Sequence, residues 1–350
     1  MSKTENDKPT LAFVDHSFHK KSHSGDFLRE LFSEHFQITD FWDDSWDGGK
    51  QIKAMELNKY DYIFYFQLIN SINELKKIKS KIIWAPMYDG VNLNDALYWK
   101  LLATFPVKII CFSEKIYNHC IKYSIEAIKI QYYFEPKINT NIPTKRGNHF
   151  FFWYRGGITF EEIKKIIKPE DVDGFIYKST PDPFKNKEVI SKEDIKKYKI
   201  EMIESDFIPK NKYLELLSKS NIYIAPRKKE GIGMSFLEAM SMGLVIIGND
   251  EATLNEYVKN NYNGCLFNKN SGFINLKNIE EIRNNSIISA KNGYEKWIEE
   301  EKFLTNFIFS NYTIKNKKWT LKNYFDYISY SARIIKYKII KIIISLYKKI

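Results

Sequence analysis

Short apolar runs alternate with longer amphipathic stretches through most of this chain, and that rhythm predicts its architecture. Residues 11–14, 37–41, 60–66, 81–85, 108–112 and 127–132 are runs of strand length. Residues 26–36, 73–79 and 114–123 carry the wider spacing of helices. Residues 135–146 contain two prolines and two asparagines and read as a linker. A second series follows, with strands predicted at 150–154, 175–177, 222–225 and 244–247 and helices opening near Phe160 and Met234. Past Phe267 the spacing turns helical over 278–294 and again over 295–309. Alternation of this kind predicts mostly parallel, doubly wound sheets, here in two units. Ligands of such sheets lie beyond the carboxyl ends of the strands. That rule directs attention to residues 16–25, Gln67, 87–90 and Ser113.

The chain is long enough for two domains: 350 residues, 44% hydrophobic and 16% aromatic, can bury two cores. Three cysteines, Cys111, Cys120 and Cys265, are too few and too scattered for a disulfide framework or a zinc site, which fits a reducing cytoplasmic setting. Residues 1–9 are polar and charged, so no signal peptide is read there. No apolar run approaches the ~18–20 residues of a spanning helix. The net charge of +11 is unevenly placed. Residues 301–350 hold 11 Lys and Arg against 2 Asp and Glu, whereas residues 1–50 hold 6 against 10. The basic character belongs to the C-terminal end, which argues for a local anionic surface as partner.

The chemistry concentrates between Glu230 and Gly243, where Glu230 and Glu238 stand eight residues apart across a Gly-Ile-Gly turn that opens a helix. Gly231 and Gly233 allow a tight turn and close approach of a ligand. The amides of Gly231, Ile232, Gly233, Met234 and Ser235 then form a helix N-terminus suited to phosphate. Acids at both ends and an anion site between them match the layout of a nucleotide sugar.

Residues 210–267 resemble the Glu-x7-Glu donor-site region of retaining GT-B glycosyltransferases of the family 4 type. The segment 212–217 resembles the helix before the penultimate strand of that family. Asn249-Asp250, Asn255-Glu256 and Asn263-Gly264 resemble its later turns. The resemblance implies an α/β fold of GT-B type, two Rossmann-like doubly wound domains facing a cleft. It divides the chain into an acceptor domain over 1–143, a nucleotide-sugar domain over 144–300, helices crossing back over 301–330 and a basic amphipathic tail over 331–350. It further implies transfer of a hexose, with retention, from a nucleotide-diphosphate sugar to a saccharide acceptor; the tail alone points to a lipid-linked, lipopolysaccharide or capsule saccharide. Neither a metal nor a cofactor beyond that co-substrate is expected.

The same resemblance assigns roles. Glu238 would hold the ribose hydroxyls, Glu230 the donor hexose, and the amides of 231–235 with Arg155 the diphosphate. Ser179 and Thr180 would lie near the nucleotide. The family's second basic residue, a lysine, is missing at its expected place, and Arg227 and Lys228 beside Glu230 are the favoured replacements. Where many relatives place a histidine at the reaction centre, this chain has Met87-Tyr88-Asp89-Gly90. Asp89 is therefore the candidate polar group there, as hydrogen-bond acceptor or base; a plain Asp-Gly turn is the competing reading. Of the family's glycine-rich first loop only Gly25 remains, after His16, His19 and His23, and these four are acceptor-side candidates. Asp171-Val172-Asp173 reads as a turn and not as a metal motif.

The tail, 331–350, carries six basic residues and no acid. On a helical wheel Ile335, Ile339, Ile342, Ile343, Leu346 and Tyr347 fall on one side and Arg333, Lys338, Lys341, Lys348 and Lys349 on the other, with Ile334, Tyr337 and Ile344 as exceptions. That pattern predicts an interfacial helix on an anionic membrane, peripheral on the inner face of the cytoplasmic membrane. A helix docked on its own protein and a nucleic-acid tail are the alternatives, and the isoleucines argue against nucleic acid as a partner. Two other activities fit the overall pattern: a nucleotide-sugar epimerase or hydrolase, and a non-catalytic GT-B-like binding subunit.

Overall fold

The computed structural model describes residues 8–137, 147–180, 182, 185–204, 208–312 and 319–347. Six strands, β1 (Thr10–His16), β2 (Gln37–Asp43), β3 (Tyr62–Phe66), β4 (Lys81–Ala85), β5 (Val107–Cys111) and β6 (Glu126–Lys129), form one sheet in the order β2-β1-β3-β4-β5-β6. Six more, β7 (His149–Tyr154), β8 (Gly174–Ser179), β9 (Ile200–Ile203), β10 (Ile222–Ile224), β11 (Val245–Asn249) and β12 (Gly264–Phe267), form a second in the order β12-β11-β10-β7-β8-β9. Every pairing is parallel. The second sheet reverses its winding between β7 and β10, so a crevice opens beyond the carboxyl ends of those two strands. Arg155 follows β7, and Arg227 to Glu230 follow β10.

The sheet interiors repeat the apolar runs. Phe13, Phe64 and Ile110 of the first sheet and Phe151, Tyr223 and Ile246 of the second belong to one buried cluster, joined by Trp297, Leu304 and Ile308. Two edge strands, β9 and β12, have no counterpart in the sequence reading. Each is four residues long and has one neighbour, so little apolar alternation is needed to hold it. The helices expected over 278–294 and 295–309 are one continuous helix, Ile279–Phe309. Gly293 lies beside the expected break; a Cβ there would come 2.4 Å from the Tyr133 ring, so the glycine lets that ring pack against the helix.

The far end of this helix returns to the first sheet. Lys108 on β5 is fully buried and its Nζ donates to the carbonyls of Phe307 at 2.5 Å and Ser310 at 2.8 Å. A cation at a helix C-terminus satisfies carbonyls that have no partner within the helix and complements its dipole. Tyr312 then donates to the Ile82 carbonyl at 3.4 Å. The expected division at 143/144 falls in 138–146, outside the described residues.

A last helix, Leu321–Tyr347, contains the described part of the tail. Its first half docks on the protein: Tyr330 is buried, and Tyr327 and Ile334, with Trp319 just before the helix, pack on the outer core of the first sheet. Arg333 reaches Asp95 at 2.5 Å. Ile334, an exception on the helical wheel, is thus accounted for by contact with the protein. Phe325, Ile328, Ile335, Tyr337, Ile339, Ile340, Ile343 and Ile344 are exposed. The side chains of Lys338, Lys341, Ile342, Leu346 and Tyr347, and all of 348–350, lie outside the described residues. Among the described residues no helix is long and apolar enough to cross a membrane.

Candidate active site

The loop between β10 and the helix Met234–Ser241 is the centre of the site. Gly233 is the N-cap of that helix with φ +88, a conformation that favours glycine, and a Cβ there would fall inside van der Waals range of the Phe236 ring. No side chain caps the helix. Among the described residues the amides of Gly231, Ile232, Gly233, Met234 and Ser235 have no acceptor. Thr253, completely buried, fixes the loop from behind by donating to the carbonyls of Glu230 at 3.0 Å and Gly231 at 2.8 Å. Nothing in the sequence marked Thr253.

The two acids of the motif are both buried. Glu230 is 5% exposed and Glu238 3%. Glu238 is paired with Lys210 at 2.5 Å, and Lys210 is itself well exposed. Glu230 Oε1 has no hydrogen-bond partner among the described residues. Burial pushes the Glu230 carboxyl up to about 7, with the charge of Arg227 opposing the rise and Asp89 adding to it.

The two arginines meet beside Glu230. The turn Arg155-Gly156-Gly157 presses against Pro226, where a Cβ on Gly157 would come 2.5 Å from the Pro226 carbonyl oxygen, and the Ile158 amide donates to that oxygen at 2.9 Å. This contact brings Arg155 and Arg227 onto one carboxylate, Asp182. Arg155 donates to its Oδ1 from Nε at 2.7 Å, with Nη2 in ion-pair contact at 2.6 Å, and Arg227 Nη2 donates to its Oδ2 at 2.7 Å. Asp182 was not foreseen, because Pro-Asp-Pro reads as a turn. Lys228 instead turns away to Glu162 at 2.6 Å, so of the two candidates Arg227 is the one that joins Arg155.

Asp89 enters from the first sheet. The turn after β4 closes with Gly90 and Val91 amides donating to the Met87 carbonyl, so the expected Asp-Gly turn exists. Its side chain nevertheless crosses the cleft to accept from Arg227 Nη1 at 2.8 Å. A Cβ on Gly231 would lie 3.0 Å from Asp89 Oδ1, which shows how closely Asp89 approaches the loop. Burial raises the Asp89 carboxyl against the charge of Arg227. Ser179 ends β8, buried, and Thr180 follows with its carbonyl accepting from Trp153 Nε1 at 3.2 Å. The Arg155 guanidinium lies 4.8 Å from the centre of the same Trp153 ring, so these residues flank the arginine.

Three histidines expected on the acceptor side are taken up by partners around the first loop, His16 and His19 also stacking on each other at 5.2 Å. His16 stacks on Trp46 at 4.2 Å and is depressed to about 4 by burial, then by His19. His19 Nδ1 lies 2.7 Å from Asp15, and His23, exposed, lies 2.9 Å from Asp26. Gly25 leaves room for the Asp15–Arg29 pair, since a Cβ would sit 2.7 Å from Arg29 Nη1. Ser113, indicated by its place after β5, donates to Glu256 at 3.1 Å and serves the junction between the sheets. The Glu256 carboxylate also accepts from the Glu114 amide at 2.8 Å, at the start of the helix Glu114–Lys122. Lys115 pairs with Glu251 across the same junction.

Residues 185–302 match the family described as Glycosyl transferases group 1. That span includes Arg227, Glu230 and Glu238 and excludes Arg155 and Asp182. Among curated proteins none matches the chain in sequence. Solved structures with a similar fold include Anabaena Alr3699/HepE in complex with UDP and glucose, at 13% identity over 87% of this chain and 100% of that one, TM-score 0.57. A glycosyltransferase from Rickettsia africae ESF-5 follows at 12% identity, 87% and 100% coverage and TM-score 0.56. The apo lipopolysaccharide outer core galactosyltransferase WaaB is similar at 12% identity, 86% and 99% coverage and TM-score 0.55. The fold is GT-B, and residues 185–302, within the second unit, are similar to the group 1 family.

Proposed function

We propose that the chain is a retaining glycosyltransferase that moves a hexose from a nucleotide-diphosphate sugar to a saccharide acceptor. One observation carries the reading. A buried acid with an unpartnered oxygen, Glu230, stands where five amides without acceptors and two arginines converge. Amides and guanidiniums fixed in place are suited to the charge that grows on a departing diphosphate. Glu230 is placed for hydroxyls of the donor hexose. Glu238 takes the ribose hydroxyls once Lys210 gives way. Asp89 faces this group from the other sheet, where an acceptor hydroxyl would approach.

The similar Anabaena structure was solved with UDP and glucose and with UDP-glucose, which makes uracil the first nucleobase to try. The tail extends the reading to a lipid-linked or lipopolysaccharide acceptor on the inner face of the cytoplasmic membrane. Its exposed isoleucines, with Lys336 and the other basic residues of the segment, support contact with an anionic lipid surface.

The test is a thermal-shift screen of UDP, GDP, ADP and their glucose conjugates against the wild type and Glu238→Ala. Stabilisation by one nucleotide, lost in the variant, is the expected result. Equal shifts in both proteins would remove Glu238 from the site. Turnover of the donor without an acceptor would instead indicate a hydrolase or epimerase. The anomeric configuration of a transfer product, read by proton NMR, decides retention.

A further inference from the structure

Asp182 is the component of this site that the nucleotide-sugar reading leaves without a task. Two guanidiniums on one carboxylate, with three of their nitrogens 2.6 to 2.7 Å from its oxygens, is the kind of arrangement that receives a phosphoryl group. The backbone is built to keep it there. The Asp182 amide donates to the Arg155 carbonyl at 3.2 Å, and the Asp182 carbonyl accepts from the Lys185 amide at 3.0 Å. The charges close around it: Arg155 and Arg227 face Asp89, Asp182 and Glu230. With the Glu230 carboxyl raised to about 7 and so only partly ionised near neutrality, two positive charges meet at least two negative ones. The cluster is electrically complete before any ligand arrives.

A diphosphate brings two to three further negative charges to the same two arginines. It cannot share them with Asp182 without strong repulsion at this separation. The Asp182 side chain is a quarter exposed, so rotation about its own bonds can carry it toward water. We propose that Asp182 is a resident stand-in for a donor phosphate, holding Arg155 and Arg227 together until the diphosphate displaces it. The proposal rests on the donor-site reading above. It adds a residue that weakens anion binding while keeping the receptor assembled. Arg227 is tied at the same time to Asp89 across the cleft, so displacement also changes which sheet that arginine serves.

The experiment is isothermal titration of the full chain with inorganic pyrophosphate, UDP, GDP, ADP and the matching free nucleosides. Wild type, Asp182→Asn, Arg227→Gln and the double variant are compared. The asparagine keeps the shape and an acceptor oxygen but loses the charge. Asp182→Asn is expected to bind pyrophosphate and the preferred nucleoside diphosphate about tenfold tighter, with nucleoside affinity unchanged. The gain should shrink in the Arg227→Gln background. Equal or weaker pyrophosphate binding by a folded Asp182→Asn protein overturns the proposal and makes Asp182 a positioning residue. A full gain retained without Arg227 overturns it as well. Nucleotide binding that is lost in Glu238→Ala, without tightening in Asp182→Asn, leaves the donor-site reading intact and sinks only the stand-in. Tightening toward pyrophosphate with no nucleotide preference has the opposite meaning. Absence of binding by every probe refutes both.

Discussion

Replacing Glu230 by Gln should stabilise the protein at alkaline pH and leave it unchanged or weaker in acid. The carboxyl rises from an ordinary 4.5 to about 7 when buried, with Arg227 opposing and Asp89 reinforcing the shift. The sign follows from linkage. A carboxyl whose folded-state pKa is raised binds a proton on folding, so its contribution is neutral below 4.5, where both states are protonated. As pH rises from 4.5 to 7 the unfolded chain ionises while the folded one resists, and stability falls; above 7 both ionise and the loss levels off. A shift of about 2.5 units at about 1.36 kcal/mol per unit is a cost of about 3 kcal/mol. Glutamine keeps the size of the acid and never ionises, so that cost vanishes. At about 2.1 cal/mol/K per residue, unfolding all 350 residues in one transition makes the difference about 4 °C in melting temperature. The assay is calorimetry of both proteins from pH 4.5 to 8.5 without ligand, the acid end serving as the baseline for any effect of the amide itself. Transfer activity should be lost in the same variant. A melting-temperature difference between Glu230→Gln and wild type that stays flat across this range would falsify the buried, uncompensated acid.

Two other outcomes test the frame around the site. Lys108→Met should cost about 2–4 kcal/mol in urea unfolding, because it leaves the Phe307 and Ser310 carbonyls without their donor; a loss under 1 kcal/mol would mean water replaces the lysine. Deleting residues 331–350 should reduce sedimentation with anionic vesicles at least about a hundredfold, given about 1 kcal/mol per basic residue near such a surface. The nucleotide-dependent thermal shift should survive the deletion, and undiminished vesicle binding would end the tail's proposed role.

Much of the architecture was legible because it rests on local causes. The strand β4 was read at its observed bounds, and β1, β3, β5, β7 and β10 within two residues at either end, since runs such as Tyr62–Phe66 have no stable place except a sheet buried on both faces. The Gly-Ile-Gly turn was legible for a similar reason: a backbone at φ +88 with a ring packed over it admits only glycine. The edge strands β9 and β12 were not, because four-residue strands with one neighbour need little pattern. Nor was the continuity of Ile279–Phe309, where Gly293 serves packing and not a turn.

The site divides in the same way. Sequence alone determined that Glu230, two glycines and Glu238 share a strand-loop-helix unit, because backbone geometry places residues this near in the chain. Only the tertiary structure decided that Arg227 and not Lys228 joins Arg155, that Asp182 occupies both arginines, and that Asp89 crosses from the other sheet. Those pairings span from 27 to 138 residues of chain. Electrostatic partners at such separations are chosen by where the sheets place their carboxyl ends, and no local spacing encodes that choice.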